Sequence, residues 1–329
     1  MANWEFLKLL IRSVEDGDNC KKWNEWIRKV RQENPNMHID LSGVDRKMME
    51  INGVDLAGVN LKGATMDYTR IQAGCLVGTY LEGVQMQSSN FSQANLSRAN
   101  FTSALLSSSR FNESILDNVN FTNADLSNCD LSKTILKSAN ISGCNLERAT
   151  IIECDLSQKK FAGSKLNQAI IKSSLLCQAS FEEMKLDGIN FEKSDMEVCN
   201  FSRTILNNIN FTICNLMGSS FSGSKLKNVN FTGTNLKQAI FDEADVQNVN
   251  FSGADLTGAK LTGVNLDNCL LFKGDGKQME PLKFCSNPAR IEASVIDTLL
   301  ISPKRKERLK ILLGYEEEKG FFAKIFKRK

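Results

Sequence analysis

The chain has 329 residues, of which 42% are hydrophobic and 24% are charged, and its formal net charge is +3. This composition is typical of a soluble protein with a sizeable core, and the absence of any run of about 18 apolar residues argues against a transmembrane helix. The single histidine excludes a histidine cluster, and most of the ten cysteines occupy positions where neighbouring segments carry alanine, valine or serine. We therefore predict reduced core thiols and no disulfide framework.

The first predicted element is a helix between Asp18 and Pro35, with the sequence DNCKKWNEWIRKVRQENP. Asp18 is a residue type that caps helix N-termini, and Pro35 is expected to end the helix. Helical spacing puts four apolar side chains on one face, namely Trp23, Trp26, Ile27 and Val30. Residues 1–38 are therefore predicted to form a helical N-terminal region.

A five-residue repeat then runs from Leu41 to Leu271 without an insertion. A large apolar residue recurs at every fifth position, and only Arg46 breaks the series, which predicts an irregular first coil. The residue two positions earlier is usually small or β-branched, as at Ala94 and Val119. Neither the helical period of 3.6 residues nor the strand period of two explains this spacing. The chain must turn after every unit to keep both positions inside, so the repeat predicts a solenoid.

A second period gives the size of one coil. Phenylalanine occupies centres that lie ten residues apart or a multiple of ten: Phe91, Phe101, Phe111, Phe121, Phe161, Phe181, Phe191, Phe201, Phe211, Phe221, Phe231, Phe241 and Phe251. With four faces to a coil, a step of ten residues connects opposite faces. The sequence therefore predicts coils of twenty residues, in which phenylalanine rings one coil apart stack on two opposite walls.

The twenty-residue period also predicts columns of side chains. One column contains stacked asparagines whose amides satisfy one another, at Asn190, Asn210, Asn230 and Asn250. A second column, interrupted by Ile205, contains the basic residues Lys165, Lys185 and Lys225. These lysines are either a solvated face or a weak candidate site for an anionic partner.

The units ANLSRANFTSA, ADLSNCDLSK and GADLTGAKLTGVNL resemble the pentapeptide-repeat family over about 70% of the chain. The resemblance implies an all-β solenoid, a right-handed quadrilateral (four-sided) β-helix. Some members of that family mimic DNA with a strongly acidic rod and bind type II topoisomerases. The repeat from Leu41 to Leu271 has 23 acidic and 20 basic residues, a net charge of −3. This small charge disfavours DNA mimicry.

Open ends of a solenoid need caps, so the sequence predicts α-helical N- and C-terminal caps on a β-helix of residues 39–271. Residues 272–329 are predicted to form a loop, short helices and a basic tail; from Pro303 to Lys329 there are ten basic and four acidic residues. The candidate cap or interaction residues of the tail are Phe321, Phe322, Lys324, Ile325, Phe326, Lys327, Arg328 and Lys329. Three roles stay open for this amphipathic segment: a cap or homodimer contact, an anionic membrane surface, and a protein or nucleic-acid partner.

No catalytic residues, cofactor or metal site are predicted, because the repeat disperses its polar residues and contains no glycine-rich phosphate loop. The favoured function is a non-enzymatic, cytoplasmic, bacterial scaffold that presents a rigid surface to an unknown protein partner. The alternative is a membrane-surface or secreted effector anchored by the C-terminal segment. Nucleic acid is an unlikely partner because of the small net charge of the repeat.

Overall fold

The computed structural model describes residues 4–266, together with residues 269 and 303. It contains two compact units, Met1–Leu175 and Leu176–Lys329. Apart from Pro303, the predicted C-terminal region 272–329 lies outside the described residues, and so do the candidate residues 321–329. The predicted boundaries at residues 38 and 271 stay predictions.

The first unit begins with two helices, α1 (Trp4–Glu15) and α2 (Lys21–Glu33). Leu7 and Leu10 are buried on α1, and Trp23 and Ile27 are buried on α2. The ring of Trp26 lies 5.2 Å from that of Phe6 and 5.1 Å from that of Trp23, measured between centroids. The sequence predicted α2, whereas the charged residues of α1 obscured its helical period.

The predicted end of α2 is confirmed, whereas the residue that caps its N-terminus is Cys20 and not the predicted Asp18. The carboxylate of Asp18 accepts hydrogen bonds from the backbone amides of Lys21 at 3.1 Å and Lys22 at 3.3 Å. These bonds satisfy two of the amides that a helix N-terminus leaves without an intrahelical partner. At the other end, α2 stops at Glu33, two residues before Pro35.

The rest of the first unit is a stack of parallel coils. Bridges join residues twenty positions apart, from the pair Asp40 and Asn60 to the pair Asp155 and Leu175. The predicted coil length is therefore confirmed. The first coil keeps the register of the others, because the exposed Arg46 still donates its amide to the carbonyl of Thr65 at 2.8 Å. It is irregular at this unit, as predicted, because the turn that follows Leu41 and Ile51 is absent after Arg46.

The chain turns a corner at the residue two positions after the buried centre of a unit. In nearly every described unit this residue has a positive φ, for example 67° at Gly58 and 60° at Gln93. Glycine tolerates that conformation without strain, whereas most other residues enter it at a cost. The repeated corner turns both inward positions of every unit toward one interior.

The second unit is also built of parallel coils and contains a four-stranded sheet. Its strands are β1 (Lys185–Asp187), β2 (Ile205–Asn207), β3 (Lys225–Lys227) and β4 (Asp245–Gln247). They pair in parallel in the order β1-β2-β3-β4, with each residue beside the one twenty positions later. Their central residues point inward and their flanking residues line the outer surface.

Phenylalanine stacks fill both interiors, as predicted. In the first unit, the rings of Phe91 and Phe111 lie 4.8 Å apart with planes at 5°. In the second unit, two such stacks contain four rings each, namely Phe181, Phe201, Phe221 and Phe241 on one wall and Phe191, Phe211, Phe231 and Phe251 on the other. Each stacked pair contributes about 0.5–1.5 kcal/mol beyond the burial of its area.

Candidate interaction surfaces

Many polar groups inside the coils are hydrogen-bonded to the backbone, although the buried hydroxyl of Thr69 has no such partner. At the small inward position, a hydroxyl or thiol donates to the carbonyl 23 residues earlier, as Ser219 does to Met196 at 2.8 Å and Cys214 to Phe191 at 3.0 Å. Ser219 Oγ also accepts the backbone amide of Cys199 at 2.9 Å. These groups join successive coils, and this role explains why serine, threonine and cysteine alternate with alanine at one repeat position.

Buried thiols are correspondingly inert. Burial raises the pKa of Cys129, Cys144 and Cys214 from 9.0 to about 12, and it raises that of Cys199 further. A neutral, enclosed thiol is a poor nucleophile and a poor metal ligand. The structure forms no disulfide among the cysteines that it describes. Within the described residues no group of three or more His, Cys, Asp or Glu side chains is arranged to hold a metal ion.

The predicted lysine column lies in part on the β1–β4 sheet. Lys185 pairs with Ile205, which pairs with Lys225, so the two exposed lysines are separated by two strand spacings of about 4.8 Å each. Lys227 follows on β3, has the same outward orientation and is also exposed. Lys165 belongs to the first unit, where it pairs with Asn145. The structure therefore brings together Lys185 and Lys225 and adds Lys227 to them.

An asparagine ladder borders this sheet at the corner of successive coils. Asn228 donates its side-chain amide to Asn208 at 3.0 Å, and Asn248 donates to Asn228 at 2.7 Å. Asn208 donates in turn to Asp187 of β1 at 2.8 Å. All three asparagines have a positive φ, between 52° and 56°, a conformation that asparagine enters more readily than most residues. This ladder was not predicted, although the spacing of twenty residues between its asparagines was its signal in the sequence.

The predicted column that starts at Asn190 is confirmed in modified form. Asn210 donates directly to Asn190 at 3.0 Å. Farther along, Asn230 donates to the hydroxyl of Thr212, and Asn250 donates to that of Thr232, each at 3.0 Å. Threonine hydroxyls thus replace direct amide contacts in this part of the column.

At the start of the first unit, α2 is hydrogen-bonded to an early coil. Trp23 Nε1 donates to the carbonyl of Asp55 at 2.8 Å. Asn24 accepts the amide of Asp55 at 2.8 Å and donates to the carbonyl of Gly53 at 2.9 Å. Arg31 forms an ion pair with the Asp55 carboxylate at 2.6 Å. These contacts hold the helix against the backbone of that coil.

Several large apolar side chains are exposed on the outside of the coils. Ile115, Ile135 and Leu175 are 48%, 60% and 49% exposed, and all three precede a buried centre in the first unit. Val198 and Ile213 of the second unit are 57% exposed and occupy corners with φ of 56° and 58°. These residues were not predicted, because the five-residue period marks inward positions only. Their signal was an apolar residue at a repeat position that usually carries a polar one.

The sequence matches two family profiles. The profile described as "Pentapeptide repeat region" matches residues 114–191 and 194–271. The profile described as "Pentapeptide repeats (8 copies)" matches residues 75–112 and 174–212. Together they cover more than half of the chain. The chain belongs to the pentapeptide-repeat family.

Solved structures of pentapeptide-repeat proteins resemble this chain. HetL from the cyanobacterium Nostoc sp. strain PCC 7120 is involved in heterocyst differentiation regulation and is 22% identical to this chain. The alignment covers 72% of this chain and 94% of HetL, with a TM-score of 0.27. Trypsin-treated QnrB1, a plasmid-mediated fluoroquinolone resistance protein, is 19% identical to this chain. The alignment covers 66% of this chain and 89% of QnrB1, with a TM-score of 0.28. Rfr23 from the cyanobacterium Cyanothece 51142 is 28% identical to this chain. The alignment covers 36% of this chain and 89% of Rfr23, with a TM-score of 0.16. No curated protein sequence is significantly similar to this chain.

Lys159 departs from the pentapeptide repeat, because it occupies an inward position where other units have a small residue. Its ammonium group donates to the carbonyl of Ala139, one coil earlier. Burial lowers the pKa of Lys159, and the charge of Asp155 opposes that shift. Lys159 is therefore engaged within the coils of the first unit.

The predicted C-terminal interaction residues, Phe321 to Lys329, lie outside the described residues of this pentapeptide-repeat protein. In the part of the chain that the structure describes, no helix has both the length and the apolar character needed to cross a membrane. The role of the C-terminal segment therefore stays a prediction.

Proposed function

We propose that this protein is a non-enzymatic scaffold whose β1–β4 sheet binds a protein partner with an acidic surface. The observation that carries this proposal is the group of exposed lysines on paired strands, Lys185, Lys225 and Lys227. Paired strands hold these charges at a fixed spacing, so binding orders little additional backbone. Complementary charge on the partner gives specificity and speeds association.

The charge distribution on the sheet supports an acidic partner. No acidic residue lies on β2 or β3. Asp187 on β1 is engaged by Asn208, and Asp245 lies on β4 at the edge of the sheet. The two central strands therefore present positive charge and neutral hydrogen-bonding groups, a combination that suits carboxylates on the surface of another protein.

We also propose that the solenoid is a right-handed quadrilateral β-helix spanning residues 39–271, with residues 1–38 as its N-terminal cap. The bonds of Trp23, Asn24 and Arg31 to the coil around Asp55 support the capping role. A cap of this kind removes exposed backbone from the end of a solenoid. Cytoplasmic location of a bacterial protein is part of this proposal.

The binding proposal is tested by charge reversal and affinity purification from the source cell. The double variant Lys225→Glu/Lys227→Glu should lose a bound protein that the unaltered chain retains at low salt. The matched control is Lys193→Glu/Lys237→Glu, which changes the net charge equally at exposed positions off the sheet. If both variants lose the bound protein, or if both retain it, the assignment of the binding surface to the β1–β4 sheet is contradicted.

A separate test concerns the C-terminal segment, which we propose to be a cap or a contact between two copies. Deleting residues 320–329 should then lower the melting temperature or change the oligomeric state, with or without lipid. The alternative, a membrane-surface or secreted effector, requires an unchanged melt and the loss of salt-sensitive binding to anionic vesicles. These two patterns distinguish the roles of Phe321 to Lys329.

A further inference from the structure

A column of outward side chains in the first unit contains large apolar residues. Ile115 pairs with Asn95, and Asp155 pairs with both Ile135 and Leu175. The pairs Arg110 with Asp130 and Asn120 with Asn140 keep the twenty-residue register on either side, so Ile135 lies one coil after Ile115. Asn95 and Asp155 occupy the same repeat position, which shows that the fold does not require an apolar residue there. Ile115 and Ile135 together place two adjacent, largely exposed side chains on one face.

Opposite charges flank these two isoleucines. Asp117 follows Ile115 by two residues, and Lys137 follows Ile135 by two residues, so both charges lie on the same face, one coil apart. Both side chains are exposed, and neither forms an ion pair with any residue that the structure describes. The face thus carries an apolar pair beside an acidic and a basic group at matching positions.

We infer that this face of the first unit is a two-fold contact between two copies of the chain. Consider a two-fold axis that lies in the plane of the face, parallel to the strands, between the coils of Ile115 and Ile135. It reverses the order of the coils and preserves the position along each coil. Ile115 then faces Ile135 of the second copy, and Asp117 faces Lys137 of the second copy. Each contact occurs twice.

The next coils fit the same symmetry. Asn95 faces Asp155 of the second copy, which pairs an amide donor with a carboxylate. An axis parallel to the coil stack would instead reverse each strand and place Asp117 against an isoleucine. Of these two arrangements, only the one with the axis parallel to the strands, which reverses the order of the coils, gives both apolar and charge complementarity. One face of a few coils is small beside a standard interface of about 800 Å² per partner, so the dimer is weak and depends on concentration.

Charge exchange tests the contact with the full chain. Asp117→Lys places lysine against lysine, and Lys137→Asp places aspartate against aspartate, so each single variant should dimerise about tenfold more weakly than the unaltered chain in sedimentation equilibrium. An equimolar mixture of the two variants should form a heterodimer, because every charged contact is again between opposite signs. The double variant Asp117→Lys/Lys137→Asp should also recover dimerisation. Melting curves confirm that each variant is folded.

The apolar pair has its own control. Ile135→Asn should weaken the dimer, whereas Ile170→Asn should leave it unchanged, because Ile170 is an exposed isoleucine of the same unit in a different column. A chain that is monomeric at all concentrations would overturn the inference. So would single charge variants that dimerise like the unaltered chain, or a mixture that fails to recover association. The test is independent of the β1–β4 sheet, whose lysines stay unchanged.

Discussion

The rings of Phe211 and Phe231 lie one coil apart, with centroids separated by 5.1 Å and planes at 5°. Phe211 also stacks on Phe191 at 5.2 Å, and it meets Phe201 and Phe221 of the opposite wall edge-on. It is fully buried. A single side chain therefore supports two stacked and two edge-to-face contacts.

Replacing Phe211 by alanine should leave a cavity within this stack and lower the free energy of unfolding by about 3–5 kcal/mol. Lys227→Ala on the outside of β3 is the matched surface control, and it should change the free energy of unfolding by less than about 0.5 kcal/mol. Denaturant melts measure both values. Equal effects of the two substitutions would contradict the inward assignment of the phenylalanine positions.

The buried thiols predict a loss of stability in alkaline solution. Burial raises the pKa of Cys214 from 9.0 to about 12, so the unfolded chain loses this proton at a lower pH than the folded chain. The contribution of this thiol to the free energy of unfolding is complete below pH 9 and is lost as the pH rises toward 12. Within that window each such thiol should lower the free energy of unfolding by about 1.4 kcal/mol per pH unit.

Cys214→Ser separates this effect from other titrations. Serine keeps a hydroxyl donor at the position, as Ser219 does elsewhere, but does not ionise in this range. Melts at pH 8 and pH 10 should show a smaller pH-dependent loss for the variant. The same loss in both proteins would show that Cys214 does not titrate on unfolding.

Strain at the corners predicts a stabilising substitution. Val198 is β-branched, has φ of 56° and is largely exposed, so glycine at this position relieves strain and removes little packing. Val198→Gly should raise the free energy of unfolding by about 0.5–1 kcal/mol. The reciprocal control is Gly218→Val one coil later, where φ is 67° and an added Cβ would lie 3.7 Å from Val198. It should destabilise the protein because of its backbone conformation, and a neutral result for both would argue against corner strain.

The contact between α2 and the coil predicts different roles for two tryptophans. Trp23 is buried and donates to the carbonyl of Asp55, whereas Trp4 is 63% exposed. Trp23→Phe should lower the free energy of unfolding by about 1 kcal/mol through loss of that hydrogen bond. Trp4→Phe should have no measurable effect. Hydrogen exchange at the amides around Asp55 reports the same difference, and equal exchange in both variants would contradict a specific docking role for Trp23.

The sequence by itself determined the coil. A period of five in the apolar residues and of ten in phenylalanine specified twenty residues to a turn, stacked rings and inward cysteines, because an identical environment recurs for each copy of a repeat. The helix α2 was equally predictable from Asp18, its apolar face and Pro35. These features depend on residues close together in the chain or related by a constant spacing.

Only the tertiary structure decided which polar groups meet across coils. The hydrogen bonds that Asn230 and Asn250 donate to threonine hydroxyls, the contact of Lys159 with Ala139, and the docking of Trp23 on Asp55 each depend on rotamers or on distant segments. The outward column of Ile115 and Ile135 was present in the sequence, but its meaning depends on which charges share its face. Periodicity specifies the direction in which a side chain points, whereas its partners follow from packing in three dimensions.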